Sequence, residues 1–573
     1  MPVMSISSVP PSATRTGALL TRIHSPWVQW PLVAALHLAG LGWLFLTEVG
    51  PFHIVLGASA WALLNLFWLA LLRRPVVSAL LSLLVMAGVI LVSQFKFGVT
   101  WMTATFLDVL IIDWDTVGFL FKTFPGLRMT ALTAAVLAIP LLVMLWRLDP
   151  FRVRRRVASA GAAGCFAVLG GLSLSVPEQP WEPFQGNNHV SSFVRSGVLS
   201  ASQLTTLGWI EADAGTGESL RKTADTACRA VGQRPNIIFI LDESSFDVSR
   251  VPDMKVPAGY DRHFRSVDGK LRLLSVEGTG GPTWYTEYNV LTGLSARSFG
   301  KLSFYVTRIA AGRVERGLPQ TLRRCGYKTF SLYPAPGSFL SARAFQHSAG
   351  VQRMIDSGEM RAGDVEPDHF YYDQALKVLE RGDRKTPHFL FVYTVANHFP
   401  WDQPYRADLT PDWRAPGNGV EFDEYIRRQM MSAQDYRDFV AKLKSRFPGE
   451  PFLIVRFGDH QPYISSKVIE PDRSFEEVSQ NIMQRDPRYF TTYYAIDGVN
   501  YRPADLSSAM EMLDAAYLPL VALEAAGLPL DGSFLEQKKI LQRCEGMFYD
   551  CRDGAEARRF NRLLIDAGLL KGF

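Results

Sequence analysis

Four side chains in this sequence could together bind a divalent metal and attack a phosphorus atom. Glu243 follows the apolar run IIFIL in RPNIIFILDESSFD, and Asp459 and His460 follow a second apolar run in PFLIVRFGDHQP. Thr283 lies in GTGGPTWYTEYNVLTGL, directly after Pro282 and close to three glycines. Carboxylates with one imidazole suit Mn²⁺, Mg²⁺ or Zn²⁺, and such an ion stabilises the alkoxide of a threonine. We therefore predict metal-assisted nucleophilic attack.

Each of these residues also has an ordinary structural explanation. Thr283 could be a helix N-cap, and Glu243 could be a loop acid or a cap, a role that Ser244 could serve equally well. Asp459 and His460 could be a hydrogen-bonded pair. For Thr283 the two interpretations are compatible, because a helix that starts after Pro282 directs backbone N–H groups towards an anion. Phosphorus is then the natural electrophile, since its charged oxygens need both the metal and the helix end.

The segments that would position these residues are typical of an α/β domain with a mostly parallel central sheet. TLRRCGYKTFSLYP predicts a helix, a turn at Gly326 and a strand, and HFLFVYTVANHFPW predicts a strand ending near His398. A long helix through YRDFVAKLKSRF precedes the strand that ends at Asp459. Ligands bind at the carboxyl ends of strands in such sheets, and three predicted strands end in Glu243, His398 and the Asp459–His460 pair.

The first 175 residues have a different character. They contain five apolar runs, each about as long as a membrane-spanning helix needs to be, at residues 27–47, 52–72, 75–95, 129–146 and 157–175. We therefore predict a five-helix transmembrane region over residues 1–175, a polar linker over 176–233 and a catalytic domain over 234–573. The first run is too long for a cleaved signal peptide and lacks a small-residue cleavage site.

Basic residues orient the predicted spans. With five spans, three clusters of arginines fall on one side, which the positive-inside rule makes cytoplasmic. These clusters consist of Arg15, Arg22, Arg73, Arg74, Arg147, Arg152, Arg154, Arg155 and Arg156. The N-terminus is then cytoplasmic and the catalytic domain periplasmic or extracellular, in a protein of the cytoplasmic (inner) membrane. We expect the aromatic segment 100–128 to lie in the membrane interface, because a sixth span would bury Asp108, Asp113 and Asp115 in lipid.

The net charge indicates which partners the protein could bind, and the cysteines indicate its compartment. The net charge is +5, and residues 1–175 hold 12 Lys/Arg against 5 Asp/Glu, so the remaining chain is near neutral. A nucleic-acid partner is therefore not expected. Cys165 falls inside a predicted span, and Cys228, Cys325, Cys544 and Cys551 lie in the outer region. The short spacing in CEGMFYDC is compatible with a Cys544–Cys551 disulfide in an oxidising compartment, and no C-x-x-C pair suggests zinc.

The motifs in order resemble the alkaline phosphatase/sulfatase superfamily. NIIFILDES, the glycine-rich loop with T-x-x-x-E, NHFP and GDH are similar to the lipoteichoic acid synthase group of membrane-bound phosphoglycerol transferases, over about residues 236–500. The resemblance implies that Thr283 is the nucleophile and that the metal ligands are Glu243, Thr283, Asp459 and His460. It further implies a substrate-binding and catalytic role for His398 and a substrate-binding role for Glu287, the acid that follows the nucleophile.

The resemblance also implies a reaction, in which a phospholipid headgroup is transferred to a cell-envelope glycan and diacylglycerol is released. We expect one divalent ion, Mn²⁺ before Mg²⁺ or Zn²⁺. The family motif FWNR appears here as FLSAR, which lacks the Trp and places Arg343 one position later. Arg343 is still expected to bind substrate, but phosphoethanolamine becomes a rival to phosphoglycerol. A phosphodiesterase with the same covalent intermediate and an inactive membrane sensor or scaffold are the alternatives, whereas the missing C-x-P-x-R motif argues against a sulfatase activity.

Overall fold

The structure is a computed structural model of the 573-residue chain. It describes residues 26–100, 102–110, 114–149, 152–178, 182–215, 217–220, 228, 234–363 and 365–573. The chain divides into two compact units, which are described separately. The first comprises the chain up to Leu110 together with Leu120–Ala201, and the second comprises Ile111–Phe119 together with Ser202–Phe573. Arg15 and Arg22, which contribute to the predicted orientation, lie outside the described residues.

Within the described residues, the first unit contains five helices that are long and apolar enough to cross a membrane, and they confirm the five predicted spans. Their ends differ from the predicted ends by a few residues. The third and fourth helices extend furthest beyond the predicted runs, because their termini include less apolar residues. The helices are α1 (Pro26–Thr47), α2 (Pro51–Leu72), α3 (Pro75–Thr100), α5 (Pro125–Leu148) and α6 (Arg155–Ser175). Proline occupies the first position of α2, α3 and α5, where its missing N–H costs nothing.

Between α3 and α5 the described chain forms only short elements. These are a 3₁₀ turn (Phe106–Leu110) and the ten-residue helix α4 (Trp114–Thr123), which is too short to span a bilayer. Asp108 is buried and forms an ion pair with Lys96 at 2.9 Å, so its charge is compensated inside the protein. The predicted linker contains an 18-residue helix, α7 (His189–Thr206), which the composition of the segment did not indicate.

The second unit is built on one eight-stranded sheet in the order β4-β3-β5-β1-β6-β7-β2-β8. Five of its seven strand pairings are parallel, and only the two pairings of β7 are antiparallel. The prediction of a mostly parallel central sheet is therefore confirmed. The strands are β1 (Asn236–Asp242), β2 (Arg272–Ser275), β3 (Lys328–Leu332), β4 (Arg353–Ile355), β5 (His388–Thr394), β6 (Phe452–Gly458), β7 (Thr491–Val499) and β8 (Met512–Asp514).

Helices pack against this sheet. Ile240 of β1 and Leu390 of β5 share a buried cluster with Tyr371 and Phe439, from the two longest helices. Every residue of β1, β5 and β6 is buried, as expected for central parallel strands. The helices are α8 (Thr283–Thr292), α9 (Val306–Ala310), α10 (Leu318–Arg324), α11 (Ala342–Ser348), α12 (Ser357–Met360), α13 (Asp368–Arg381), α14 (Val420–Arg446), α15 (Ser466–Ile469), α16 (Phe475–Met483), α17 (Leu518–Ala525), α18 (Gly532–Arg543) and α19 (Ala555–Asp566).

Two disulfides are present in the described chain. Cys544 and Cys551 form the bond that their spacing predicted. Cys228 and Cys325 form a second bond across a sequence separation of 97 residues, a pairing that the sequence did not indicate. Cys165 is free and lies within α6.

Candidate active site

The site forms where the central strands end. Asp242 at the end of β1 pairs with Gly458 at the end of β6, so the residues that follow, Glu243 and Asp459, leave the sheet side by side. The register requires a glycine at position 458. A Cβ there would lie 1.8 Å from the carbonyl oxygen of Ser245, well inside van der Waals contact. The close approach of the two strand ends therefore depends on Gly458.

Glu243, Asp459 and His460 form a buried cluster whose ligand atoms all lie within 4.8 Å of one another. Asp459 Oδ1 accepts hydrogen bonds from the backbone N–H groups of Ser244 and His460, at 2.7 and 2.9 Å. Asp459 Oδ2 accepts no hydrogen bond within the described chain, although this atom is fully buried. A buried carboxylate oxygen without a hydrogen bond, next to a second carboxylate and an imidazole, fits a divalent cation.

A backbone contact fixes the orientation of the imidazole. Nδ1 of His460 donates a hydrogen bond to the carbonyl of Gln461 at 2.9 Å. Nε2 then faces the carboxylates, at 3.4 Å from Glu243 Oε1 and 3.3 Å from Asp459 Oδ2. Metal-binding histidines are commonly oriented in this way, with the other ring nitrogen bonded to a carbonyl.

The pKa values of the three groups show how the cluster shares its charge. Burial raises the pKa of Glu243, but the hydrogen bond and charge of His460 outweigh burial and lower this pKa to about 2. Burial, and then the charge of Glu243, raise the pKa of Asp459 well above its ordinary value. Burial lowers the pKa of His460, but the two carboxylates outweigh this effect and raise it to about 9. Without a cation the cluster therefore retains protons that a cation would displace.

Thr283 is the first residue of α8, as the sequence predicted. Its hydroxyl donates to Glu243 Oε2 at 3.1 Å and lies 3.5 Å from His460 Nε2. Pro282 occupies the N-cap position and caps no N–H group with its side chain, so Thr283 is not the N-cap. The preceding loop is tied to the end of β6, because Gly280, in a left-handed conformation (φ 73°), donates its N–H to the carbonyl of Gln461 at 2.9 Å. Thr283 is thus held against the cluster.

His398 lies after β5, at the same edge of the sheet. Its Nδ1 donates to the carbonyl of Phe399 at 2.9 Å, and its ring stacks on Phe399 with the centroids 4.2 Å apart. Its own carbonyl accepts from Arg428 at 2.8 Å, which anchors the loop to α14. The charge of His398 lowers the pKa of Glu243, so the two groups interact electrostatically. Because Nδ1 is occupied, Nε2 is the nitrogen through which His398 could exchange a proton.

Comparison with known proteins identifies the domain that carries this site. A family model described as Sulfatase matches residues 235–493, a range that contains all the residues discussed above. Residues 235–493 therefore form a domain that matches the sulfatase family model, called the sulfatase-family domain below. The resemblance to the alkaline phosphatase/sulfatase superfamily is thereby confirmed for the sulfatase-family domain, and so is the predicted arrangement of five apolar helices followed by such a domain.

The individual proteins that are similar to this chain share a low sequence identity with it. The capsular polysaccharide biosynthesis protein RkpI of Rhizobium meliloti is 27% identical over 242 residues, which cover 41% of this chain and 42% of RkpI. This chain thus matches less than half of that relative's length. Among solved structures, the phosphoglycerol transferase GacH of Streptococcus pyogenes has a TM-score of 0.46 at 15% identity, covering 60% of this chain and 87% of GacH. The phosphoethanolamine transferase EptA of Neisseria meningitidis has a TM-score of 0.44 at 12% identity, covering 87% of this chain and 95% of EptA.

Two other predicted site residues have partners of their own. Arg343 donates to Asp356 at 2.6 Å and to the carbonyl of Met354 at 3.0 Å. Glu287 is 1% exposed and accepts from Gln346 at 2.8 Å, and burial raises its pKa to about 7. The substrate-binding roles of Arg343 and Glu287 stay predictions. In this conformation Glu287 joins α8 to α11 through its hydrogen bond with Gln346.

Sequence reasoning missed two supports of the sulfatase-family site. Ser244 adopts a left-handed conformation (φ 52°), which directs its N–H to Asp459, and its hydroxyl donates to Glu243 Oε1 at 2.9 Å. Thr286 donates its hydroxyl to the backbone carbonyl of Asp459 at 2.6 Å and so joins α8 to the end of β6. A small polar residue directly after Glu243 is the only indication that the sequence offers for Ser244, and Thr286 has none.

Proposed function

We propose that this protein transfers a phospholipid headgroup, phosphoglycerol or phosphoethanolamine, to a cell-envelope glycan through a covalent phosphothreonine at Thr283, with release of diacylglycerol. The observation that carries the proposal is the hydrogen bond from the Thr283 hydroxyl to Glu243, at the head of α8 and beside a buried cation site. A threonine at this position has a hydrogen-bond acceptor that orients its hydroxyl and a helix N-terminus for the anion that it attacks.

The ligands of the cation would be Glu243, Asp459, His460 and Thr283. Three of these offer oxygen and one offers nitrogen, which suits Mn²⁺ before the softer ions, with Mg²⁺ or Zn²⁺ as alternatives. When bound, the ion would supply positive charge that lowers the pKa of the threonine hydroxyl and neutralises a phosphate oxygen.

Each proton in the reaction has a donor and an acceptor. The pKa of Glu243 is too low for this group to hold the threonine proton, so the Thr283 hydroxyl loses its proton to solvent, while its contact with Glu243 orients the oxygen. The Thr283 oxygen attacks the phosphorus of the lipid and forms a new O–P bond. The bond to the glycerol oxygen breaks, and His398 protonates that oxygen so that diacylglycerol leaves as a neutral alcohol. An acceptor hydroxyl then gives its proton to His398 and attacks the same phosphorus, and the Thr283 oxygen leaves and regains its proton from solvent.

Other groups would hold the substrate. The backbone N–H groups at the start of α8 face the non-bridging oxygens. Arg343 would neutralise one of these oxygens if it exchanged Asp356 for the phosphate, as charge-assisted pairs allow. The 27% identity with a capsular polysaccharide biosynthesis protein supports a glycan as the acceptor.

We further propose that the protein lies in the cytoplasmic (inner) membrane, with its N-terminus in the cytoplasm and the sulfatase-family domain outside. The arginines at the ends of α2, α5 and α6 support this orientation through the positive-inside rule. Two disulfides in the second unit support an oxidising compartment. A lipid headgroup and an envelope glycan would both be accessible there.

A lipid assay tests the reaction. Purified full-length protein is incubated with Mn²⁺ and with phosphatidylglycerol or phosphatidylethanolamine labelled in the headgroup, and diacylglycerol is measured. We expect release by the wild type and a loss of at least about 1,000-fold in Thr283→Ala, since the nucleophile is removed. Thr292→Ala should keep full activity, because the Thr292 side chain lies on the same helix and bonds only to backbone groups of its own helix end.

The outcomes separate the alternatives. The lipid that is consumed identifies the headgroup, and mass spectrometry of the intact protein should detect the adduct on Thr283. Release of free headgroup phosphate without an acceptor would indicate a phosphodiesterase instead. Equal diacylglycerol release by Thr283→Ala would refute the mechanism, and no turnover of either lipid would favour the sensor or scaffold.

A further inference from the structure

A cavity lies among the membrane helices of the first unit. Its volume is about 470 Å³, and it is lined by α1, α2 and the start of α3. On α2 the lining extends from Ala58 to Leu69, a distance of about 16 Å at 1.5 Å per residue. The cavity is therefore elongated along the helix axis. Its walls are mostly aliphatic, which matches a hydrocarbon chain in shape and polarity.

Three polar side chains interrupt the aliphatic lining. Trp61 Nε1 donates to His37 Nδ1 at 3.2 Å, so a neutral His37 carries its proton on Nε2 and can still donate from there. Asn65 donates its amide N–H to the carbonyl of Trp61 at 2.8 Å, which leaves its side-chain oxygen as an acceptor. Ser78 is 2% exposed, and its hydroxyl has no hydrogen-bond partner within the described chain.

Such groups are costly inside a membrane unless something pairs with them. A buried polar group without a partner destabilises the folded protein, and polar residues in spans commonly mark binding sites. Convergent polar groups in an apolar cavity are the usual arrangement of a ligand site. The ester and hydroxyl groups of a lipid glycerol would suit this combination of donor and acceptor.

The cavity ends beside two arginines. Pro75 lines this end, and Arg73 and Arg74 directly precede it in the chain. Arg73 donates to the carbonyl of Val153, and Arg74 donates to a carbonyl and covers the ring of Trp146 at 4.4 Å. Neither guanidinium is paired with a carboxylate in the part of the chain that the structure describes.

One carboxylate lies close to this end of the cavity. Asp149 accepts the N–H groups of Val76 and Val77 at the start of α3, at 2.9 and 3.2 Å. Arg73 and Arg74 carry two positive charges against its one negative charge, so these three groups together are positive. This charge is complementary to a phosphate diester.

We propose that this cavity binds an anionic phospholipid, with one acyl chain between α1, α2 and α3 and the phosphate at Arg73 and Arg74. The site is separate from the residues around Thr283, and the proposal does not depend on the proposed function. On the proposed orientation the bound lipid belongs to the cytoplasmic leaflet, opposite the sulfatase-family domain. The lipid would satisfy the polar side chains and stabilise the packing of the first three helices.

Native mass spectrometry tests the proposal with the full-length protein in detergent and EDTA. Phosphatidylglycerol and phosphatidylcholine with identical chains are added in equal amounts. We expect phosphatidylglycerol to be retained at least fivefold over phosphatidylcholine. Ala62→Phe, which fills the cavity, should lower the retained lipid at least tenfold, whereas Val55→Phe, at a 50% exposed position of the same helix outside the lining, should not. Replacing both Arg73 and Arg74 with Gln should remove the preference for phosphatidylglycerol.

Equal retention of the two lipids by the wild type, or unchanged retention by Ala62→Phe, would mean annular lipid only and would overturn the proposal. A second measurement needs no variant. Phosphatidylglycerol with a photoreactive group at the end of one chain should crosslink wild-type protein within residues 37–41 or 58–69. Crosslinks confined to other parts of the spans would also overturn the proposal.

Discussion

The Asp459→Asn variant should be more stable than the wild type in the absence of a metal ion and less stable than the wild type in the presence of Mn²⁺. Without a cation, burial and the charge of Glu243 raise the pKa of Asp459 well above its ordinary value, so this carboxyl resists ionisation in the folded state. The unfolded chain ionises it near pH ~3.9. A group with a raised folded-state pKa contributes stability that is present at low pH and is lost as the pH rises. The Asn side chain does not titrate, so the variant does not lose this stability as the pH rises.

The size of the effect follows from two estimates. Keeping a carboxyl protonated at pH 7 costs the folded state about 4 kcal/mol relative to the unfolded chain. A buried amide N–H without a hydrogen-bond acceptor would destabilise the folded variant by about 1–3 kcal/mol. The metal-free variant should therefore be more stable at pH 7 by roughly 1–3 kcal/mol.

Bound metal reverses the order. At about 1,000 times its dissociation constant a ligand adds about 4.1 kcal/mol, which is about 6 °C for a domain of some 340 residues. The Asp459→Asn substitution removes a charged ligand, so the variant should not gain this shift. Thermal unfolding of the full-length proteins in EDTA and in Mn²⁺ measures both effects, and the variant should unfold above the wild type in EDTA and below it in Mn²⁺.

Asp368→Asn is the matched control. Asp368 is 1% exposed, accepts the N–H of Ala396, and has its pKa raised to about 8, first by burial and then by the charge of Asp242. The control should gain stability in EDTA as Asp459→Asn does, but it should keep the Mn²⁺ shift because Asp368 is not in the cluster. The reasoning fails if Asp459→Asn unfolds below the wild type in EDTA at pH 7, or if it retains the Mn²⁺ shift.

Two further predictions concern stability. Burial raises the pKa of Glu287 to about 7, so this group should contribute stability below pH ~4.5, and about 3 kcal/mol of this stability should be lost as the pH rises to 7. The unfolding temperature of Glu287→Gln should therefore fall less than that of the wild type over this pH range. Parallel plots of unfolding temperature against pH for the two proteins would contradict the prediction. Replacing both Cys228 and Cys325 with Ser should lower the free energy of unfolding by about 4–5 kcal/mol, because this disulfide closes a sequence separation of 97 residues. The same change at Cys544 and Cys551, with a separation of 7 residues, should lower it by about 2.4 kcal/mol. Equal decreases of the unfolding temperature in the two double variants would argue against loop entropy as the cause.

The central strands were predictable because burial on both faces leaves a strong pattern. IIFIL, FLFVY and FLIVRF are continuous apolar runs, and all three became fully buried strands. Parallel neighbours end at one edge, so the sequence could place Glu243 beside Asp459 without knowing the strand order. The five spans were predictable for a similar reason, since length and apolarity suffice to define them.

Contacts made by backbone conformation were not predictable in this way. The left-handed turn at Ser244 and the hydrogen bond from His460 to the carbonyl of Gln461 depend on the path of the chain after each strand, and no residue pattern specifies that path. The pairing of Cys228 with Cys325 depends on tertiary structure, because four cysteines allow several pairings. The helix α7 was hidden by a segment of mixed composition.

Arg343 shows why a motif can locate a residue without establishing its role. FLSAR carries the arginine of the family motif one position late, and in the structure the two residues before α11, Leu340 and Ser341, are both left-handed (φ 48° and 60°). The displaced arginine meets Asp356 instead of remaining free for an anion. A substrate phosphate must therefore compete with a carboxylate for this guanidinium. Glu359 lies 3.3 Å from the same guanidinium, and Asp356 is the closer partner at 2.6 Å. The double variant Asp356→Asn, Glu359→Gln would remove both carboxylates and keep the side-chain shapes. It should lower the KM for the lipid donor with little change in kcat if Arg343 binds phosphate, and an unchanged KM would assign Arg343 a purely structural role.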